Sequence, residues 1–378
     1  MRSGRNSCSF HTVSFTLLAA LISAVTPVRA GVGIWIAPSD LAQLPTSGAA
    51  WANLLEEANL ATGTPNLADQ DSPVDVRVMA KALVFARTGT DSYRQDVVAA
   101  IQTVTYGNTE SGGTELSLCR GLVAYVIAAD LVGLPAQLDA DFRAFLIRVR
   151  TEDLGGSNMI ATHEKRPNNW GLHCSDSRAA VARYLGDATE LERVVKIFKG
   201  WLGDRSSYAS FVYGADLSWQ ANPALPVGVN PSGATKDGHD IDGVLPDDQR
   251  RAGAFAWPPP KTVYSWGALG PVMATAIILD RAGHTDVWEW QGQAIRRAVD
   301  WLYRTTFNDG ANYSAEGDDT WQPYVVNYYY GTSYPVIVPS RPGKNVGWTD
   351  WTHAGVRSIA TPPTPANLRR ADRASSGP

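Results

Sequence analysis

Apolar residues recur at intervals of three and four positions through most of the chain up to Gly203, and this periodicity is the strongest constraint on the fold. The spacing places apolar side chains along one face of an α-helix. It predicts helices at 48–61, 73–88, 91–105, 115–132, 136–150, 169–185, 187–202, 263–282 and 285–306. Alternating strand patterns are hard to find. The sequence therefore predicts an all-α protein.

The connections between these helices are short, and no helix has the heptad seam of a coiled coil. Amphipathic helices joined by short turns pack as antiparallel hairpins. Such hairpins can close side by side into an (α/α) toroid, and no repeat of fixed period indicates a solenoid. We therefore predict an incomplete (α/α) toroid or barrel of helical hairpins, with long loops that line a cleft.

Residues 1–30 have the pattern of a secretory signal peptide. Arg2 and Arg5 precede an apolar run from Val13 to Val25, and small residues stand near Ala30 where a signal peptidase would cut. We expect the chain to be exported, to the periplasm or the extracellular space. No later stretch approaches the length of about 18 apolar residues that spans a membrane, so we expect no membrane partner. We predict one domain at 31–356 and a flexible tail or linker at 357–378.

The formal net charge of −4 argues against a nucleic-acid partner, because nucleic-acid-binding domains carry a basic surface. An acidic polymer would have to be bound by a local cationic cleft. Cys8 lies in the leader, which leaves Cys119 and Cys174 as either a disulfide or two buried free thiols. We expect a monomer.

Residues 204–262 interrupt the helical pattern and are rich in Gly, Pro, Asp, Ser and aromatic residues. A loop this long inside a compact domain is usually functional or disordered, and the aromatic residues favour order. Part of it resembles a calcium loop, but Gly238 and Gln249 stand where an EF-hand needs carboxylates, so we predict no metal there. We expect this loop and residues 312–350 to shape a substrate cleft.

Asn168, Asn169 and His173 stand at the start of the predicted helix 169–185. An Asn can cap a helix, and the amides of the first turn form a natural anion site. His173 follows Asn169 by four residues and so lies on the same face of the helix. The alternative is purely structural, with Asn168 as the cap and His173 as a hydrogen-bonded core residue.

His239, Arg250, Arg251 and Tyr264 form a second group, and Tyr264 lies close to the start of a predicted helix. β-Elimination from a uronic acid needs Asn, Arg or protonated His to neutralise the carboxylate, a base for the C5 proton and an acid for the leaving O4 oxygen. Tyr can serve as acid or base when a nearby cation lowers its pKa. The alternative is that residues 247–251, Asp-Asp-Gln-Arg-Arg, form a solvated charged face.

Thirteen Trp residues are many for a chain of 378, and sugar rings stack on aromatic faces. Most of the aromatic residues should pack in the core. The candidates for substrate binding are Tyr213, Trp219, Trp257, Lys261, Tyr329 and Lys344.

Trp35 with residues 41–51, the Pro-Asn-Asn-Trp-Gly sequence at 167–171, residues 248–264 and residues 343–353 form a distinctive set of segments. In these segments the chain resembles the alginate lyase superfamily of helical-toroid polysaccharide lyases, nearest the branch with alginate and glucuronan lyases. The resemblance spans about residues 36–353 and implies an incomplete (α/α) barrel with a cleft across its mouth. It also implies catalysis that needs no metal and no cofactor.

The resemblance implies roles for the candidate residues. Asn168 or Asn169 would neutralise the substrate carboxylate, with Arg250 or Arg251 as partner. Members of the superfamily often have a His directly after the Asn pair, whereas this chain has Trp170 at that place.

The same resemblance makes Tyr264 the acid, with Tyr213 as a second candidate. His239 or His173 would be the base or a second neutraliser. The separation between the arginines and Tyr264 is longer than the family pattern.

We therefore expect a lyase that cleaves a uronic-acid-containing polysaccharide, such as alginate, polymannuronate or glucuronan, by β-elimination and leaves a C4–C5 unsaturated uronate. One alternative is an inverting glycoside hydrolase that uses a pair of carboxylates. The candidates for that pair are Asp240, Asp242, Asp247 and Glu316. The other alternative is a secreted polyuronate-binding protein without catalytic activity.

Overall fold

The computed structural model describes Met1 and residues 31–357, and the fold in this part of the chain is mostly helical, which confirms the all-α prediction. The helices are α1 (Pro38–Leu41), α2 (Ala49–Asn59), α3 (Val74–Thr88), α4 (Asp91–Tyr106), α5 (Glu115–Val132), α6 (Ala136–Val149), α7 (Met159–Lys165), α8 (Asn169–Leu185), α9 (Ala188–Leu202), α10 (Pro246–Gln249), α11 (Val263–Arg281), α12 (Trp290–Arg304), α13 (Gln322–Tyr330) and α14 (Thr349–Thr352). The strands in the described residues are β1 (Thr235–Lys236) and β2 (His239–Asp240), which pair antiparallel.

Each of the nine predicted helices has a counterpart among these elements, with ends that differ by a few residues. The helices that the pattern missed are α1, α7, α10, α13 and α14, and three of them have only four residues. An apolar period cannot be read from so short a segment, because one turn of helix takes about 3.6 residues.

Helices α3, α5, α8 and α11 pack against one another in that order. Most residues of these four helices are buried, and α5 and α11 are apolar on nearly every side. Helices α4, α6, α9 and α12 pack outside them and bury one face each. The buried apolar residues form one continuous core.

A disulfide between Cys119 and Cys174 joins α5 to α8, with the two Cα atoms 4.9 Å apart. The structure thus confirms the first of the two alternatives for these cysteines. Because α8 also packs on α11, the bond lies at the centre of the helical assembly.

The long segment 204–262 is ordered by its own polar and apolar contacts. Trp219 is fully buried, and its backbone carbonyl accepts a hydrogen bond of 2.9 Å from the side chain of Asn230. Val244 and Ile241 are also buried. The expectation that its aromatic residues order the loop is confirmed.

The last helices of the described chain pack against the first ones. α14 contacts α2, where the rings of Trp351 and Trp51 lie 5.3 Å apart. The indole of Trp351 donates a hydrogen bond of 2.8 Å to the Pro45 carbonyl, and that of Trp348 donates one of 3.3 Å to the Val76 carbonyl. The two ends of the described domain are therefore packed together.

Two predicted segments lie almost wholly outside the described residues, namely the signal peptide at 1–30 and the tail at 357–378. Arg357, the first residue of the predicted tail, is described and anchored. Its guanidinium lies 2.7 Å from the Asp280 carboxylate, and its backbone N–H donates to Tyr328.

One described helix, α11, is long and apolar enough to cross a membrane by length and composition. In the structure, 83% of its most apolar 18-residue window is buried against other parts of the protein. The apolar character of α11 is therefore explained by its central position in the core.

Candidate active site

A cavity of about 540 Å³ opens beside the first turns of α8 and α11, a volume typical of small-ligand sites. Its lining includes Arg120 of α5, Asn169 and His173 of α8, Tyr264 and Gly267 of α11, residues 313, 316–319, 321 and 322, and residues 343–345. Four of the residues predicted for a lyase site, Asn169, His173, Tyr264 and Lys344, meet in this cavity, and Glu316, a candidate for the hydrolase pair, also lines it. The segment 204–262, expected to shape the cleft, contributes no lining residue.

The two asparagines at the start of α8 have different environments. Asn168 is the N-cap, and its side-chain oxygen accepts a hydrogen bond of 3.2 Å from the Trp170 amide. Asn169 is 2% exposed, and its Oδ1 has no hydrogen-bond partner. Buried polar atoms are nearly always paired in proteins, so an unpaired one in a cavity wall indicates a ligand position. Asn169, rather than Asn168, is the candidate for substrate binding.

Trp170 and Gly171, which follow the two asparagines, determine the backbone path at the start of α8. A Cβ atom at Gly171 would overlap the carbonyl oxygen of Arg166, so a larger residue cannot be placed there without moving the backbone. Trp170 instead packs under the guanidinium of Arg166, whose central carbon lies 4.4 Å from the ring centre. Trp170 does not line the cavity.

His173 lies one turn below Asn169, is 3% exposed, and has an Nδ1 atom without a hydrogen-bond partner. Burial, and then the positive charges of Arg120 and Lys344, hold the pKa of His173 well below its usual value. The imidazole is therefore neutral at neutral pH and is free to accept a proton or to donate a hydrogen bond. It cannot neutralise a carboxylate by a charge of its own.

Tyr264 lies in the first turn of α11 between two cationic side chains. The guanidinium carbon of Arg251 lies 3.9 Å from the centre of its ring, and Arg120 interacts with it electrostatically. Burial lowers the pKa of Arg120, and its Nε is buried without a partner. Sequence reasoning missed Arg120. The indication in the sequence was that Arg120 is a single arginine within the apolar stretch of α5.

Asp247, Asp248 and Gln249 connect the starts of α8 and α11. Asp248 Oδ1 accepts a hydrogen bond of 3.1 Å from the Asn169 amide, so the helix N-terminus predicted to bind an anion faces this buried carboxyl. Gln249 donates to the Pro260 carbonyl at 2.7 Å. All three residues are at most 3% exposed, so the alternative of a solvated charged face at 247–251 is wrong for these three positions.

Another part of the cavity lining is acidic. Glu316 and Asp318 are exposed, and Asp319 is half-buried beside them. Burial, and then the charge of Asp318, raise the pKa of Asp319 to about 8, although a hydrogen bond of 2.9 Å from Gln322 Nε2 opposes this shift. Asp319 is therefore largely protonated at neutral pH. Sequence reasoning named only Glu316 from this wall.

Lys344 and Asn345 bring a third segment to the cavity. Lys344 forms an ion pair of 2.5 Å with Asp71, which also lies 3.9 Å from Arg120. Asn345 donates a hydrogen bond of 2.7 Å to the buried carboxyl of Asp176. Because Asp176 is on α8 below His173, this bond ties the 343–345 segment to the helix that carries the candidate catalytic residues.

Five of the residues predicted as catalytic or as the acid do not line the cavity, namely Asn168, Arg251, His239, Arg250 and Tyr213. His239 stacks on Trp257 with ring centres 4.5 Å apart, beside a separate surface depression. Arg250 is paired with Asp247 at 2.7 Å. Tyr213 packs against Phe211, and burial raises the pKa of Tyr213. The structure does not bring His239, Arg250 and Tyr213 together with Asn169, His173 and Tyr264, because their positions depend on the path of the long loop.

Most of the predicted sugar-binding residues also lie elsewhere. Trp219 is a core residue whose indole donates to the Gly253 carbonyl, and Tyr329 stacks on Trp288 at 3.8 Å. Trp257 is exposed but faces the separate depression. Lys261 forms an ion pair of 2.6 Å with Asp309 and does not line the cavity. Its Nζ atom lies 5.4 Å from the ring centre of Tyr313, which does line the cavity.

No protein-family model matches this chain, and no curated protein sequence matches it. Within residues 31–357, no group of three or more His, Cys, Asp or Glu side chains is arranged to hold a metal ion. The function must therefore be inferred from the chemistry of the cavity itself.

We predict that Asp319→Asn stabilises the protein increasingly between about pH 4 and pH 8. The folded-state pKa of Asp319 is about 8, against an ordinary value of 3.8, so the unfolded chain releases this proton first. The free energy of unfolding of the wild type therefore falls relative to that of the variant, by up to about 1.4 kcal/mol per pH unit between these pH values. The variant shows no such fall because it has no carboxyl proton at this position to lose.

Urea unfolding of both proteins at about pH 4, 6 and 8 measures this difference. Asp286→Asn, at an exposed acid whose side chain makes no hydrogen bond to another described residue, is the matched control and should show no such trend. A constant difference between Asp319→Asn and wild type at all three pH values would contradict the assigned protonation state.

Proposed function

We propose that this cavity binds a uronic-acid-containing polysaccharide and cleaves it by β-elimination. The observation that supports the proposal best is the meeting of Asn169, His173, Arg120 and Tyr264 from three helices in one cavity. Three of these residues, Asn169, His173 and Arg120, have a buried polar atom without a partner, which a bound substrate would satisfy. The resemblance to the alginate lyase superfamily points to the same reaction.

In the proposed reaction, the substrate carboxylate accepts hydrogen bonds from Nδ2 of Asn169 and from the guanidinium of Arg120, and Oδ1 of Asn169 is left to accept from a sugar hydroxyl. Their hydrogen bonds and charge stabilise the negative charge that develops on the carboxylate as the C5 proton leaves. Neutral His173 accepts that proton. The electron pair of the C5–H bond forms the C4–C5 double bond, and the C4–O4 bond breaks.

Tyr264 donates its proton to the departing O4 oxygen. The guanidinium carbon of Arg251 lies 3.9 Å from the centre of the ring, and Arg120 also interacts with Tyr264 electrostatically, so both would balance the negative charge left on its oxygen. Proton return from His173 to Tyr264, directly or through water, would restore the site for the next cycle.

We also propose that the helices form an incomplete (α/α) toroid. The succession of central helices α3, α5, α8 and α11, with α4, α6, α9 and α12 outside them, supports this arrangement. The contact between α14 and α2 supports a ring whose ends meet. The first turns of α8 and α11 would then face the mouth of the ring.

A glycoside hydrolase is the second candidate, because Asp319 holds its proton at neutral pH as a general acid must. Glu316 or Asp318 would be its partner. Three of the carboxylates expected for a hydrolase are instead paired with arginines outside the cavity, namely Asp240 with Arg304, Asp242 with Arg297 and Asp247 with Arg250. Fewer of the residues that line the cavity therefore support a hydrolase than support a lyase.

The test is to incubate the protein with uronate-containing polysaccharides in the presence of a chelator and to follow ultraviolet absorbance. The C4–C5 double bond of an elimination product absorbs, and a hydrolysis product does not. New reducing ends without absorbance would replace the lyase by the hydrolase. Binding without either signal would indicate a non-catalytic polyuronate-binding protein.

A further inference from the structure

We infer that the substrate is a heteropolysaccharide in which each uronate is linked to an uncharged or amino sugar, rather than a homopolymer of uronates. The inference rests on the proposed function and adds the substrate class. It follows from the two unlike walls of the cavity.

The first wall is suited to one carboxylate. It presents the cations Arg120 and Lys344 beside Asn169 and His173. Both cations face the carboxylate of Asp71, at 3.9 Å and 2.5 Å, so part of their charge is already balanced inside the protein. This wall can neutralise a single uronate, and it has little positive charge left for a second.

The second wall presents mainly hydrogen-bond acceptors, and the protonated carboxyl of Asp319 adds a donor to them. Glu316 and Asp318 are exposed carboxylates in the cavity lining. Gln322 is 1% exposed, and its Oε1 has no hydrogen-bond partner. Its Nε2 already donates to the Trp266 carbonyl at 3.2 Å and to Asp319 at 2.9 Å, so the free atom of this amide is an acceptor.

A ligand that displaces water from these acceptors must supply donors in its place. A sugar hydroxyl, the N–H of an acetamido group and an ammonium group are donors, whereas an ionised carboxylate is an acceptor only. A second uronate against this wall would meet two carboxylates and an unpaired amide oxygen. An uncharged sugar or an amino sugar would satisfy the same atoms.

The two walls therefore define two neighbouring subsites of different specificity. The uronate that loses its C5 proton occupies the subsite beside Asn169, and the sugar next to it along the chain occupies the subsite beside Gln322. A polymer in which uronates alternate with uncharged sugars places a uronate in the first subsite and an uncharged sugar in the second. A homopolyuronate places a carboxylate in the second subsite, beside Glu316 and Asp318.

The experiment compares kcat/KM, from ultraviolet absorbance, on two groups of polymers. Glucuronan, polymannuronate and polyguluronate are homopolymers, and hyaluronan and unsulfated chondroitin alternate glucuronate with an N-acetylated amino sugar. We expect kcat/KM to be higher on an alternating polymer by about tenfold or more, since adjacent like charges at a partly buried site cost about this factor.

The double variant Glu316→Gln/Asp318→Asn removes the repulsion and keeps the size of both side chains. We expect it to reduce the ratio of the two kcat/KM values by about tenfold, because homopolymer cleavage improves. Asp286→Asn removes one exposed carboxylate outside the cavity and is the matched control, which should leave the ratio unchanged. A ratio is insensitive to the fraction of folded protein.

The possible failures can be told apart. If no polymer gives a double bond, the proposed elimination fails, and the inference fails with it. If double bonds form fastest on a homopolymer, and the double variant leaves the ratio unchanged, elimination stands and the heteropolysaccharide inference is overturned.

Discussion

Tyr264→Phe should lower kcat for elimination by about a thousandfold, within the range that a general acid contributes. The variant loses only the hydroxyl, and the ring can still pack beneath Arg251, which lies 3.9 Å from its centre. No hydrogen bond of this hydroxyl to another described residue is seen, so stability should change little. The helical circular dichroism should equal that of the wild type.

Tyr313→Phe is the matched control, because Tyr313 also lines the cavity. Burial, and then the charges of Asp319 and Glu316, raise the pKa of Tyr313 to about 12, so its proton is harder to release. We expect this variant to lose less than about tenfold in kcat. Full activity in Tyr264→Phe together with a large loss in Tyr313→Phe would move the acid to Tyr313.

The helices and part of the site could be predicted because both depend on local spacing. Asn169 and His173 are four residues apart in one helix, so the sequence alone places them on one face. Tyr264 lies in the first turn of a helix whose apolar pattern is strong. Whether the two helix starts face one cavity is set by the packing of α8 on α11, which spacing does not show.

Residues of the long loop could not be placed by the same reasoning. Arg250 and Arg251 are neighbours in sequence, yet one pairs with Asp247 and the other lies over Tyr264. The direction of each side chain depends on the short helical turn at 246–252, which is too brief to leave a pattern. His239 lies on the two-residue strand β2, and no local pattern fixes its position relative to Tyr264.

The aromatic residues show a second limit. Trp219 and Trp257 belong to the same loop, but one is fully buried and the other is 36% exposed. Burial of an indole depends on neighbours that are distant in sequence, so composition does not separate core residues from sugar-binding ones. Arg120 was overlooked for the converse reason, since its helix is otherwise apolar and reads as core.

Asn169→Ala and Asn168→Ala should have opposite effects on activity and stability, although the two residues are adjacent. Asn169→Ala should lower kcat/KM by about a hundredfold to a thousandfold, the loss expected for one donor to a developing anion. Its stability should be retained, because Oδ1 of Asn169 has no partner to lose and its backbone amide still donates to Asp248.

Asn168→Ala removes the side-chain cap on the Trp170 amide and should lower the free energy of unfolding by about 1 kcal/mol. Its kcat/KM should stay within about threefold of wild type, because the Asp248 and Gln249 contacts still hold the starts of α8 and α11 together. Ultraviolet kinetics and urea unfolding of both variants measure the two effects. The reverse pattern, with turnover lost in Asn168→Ala and kept in Asn169→Ala, would transfer the carboxylate contact to Asn168 and require a different approach of the substrate to α8.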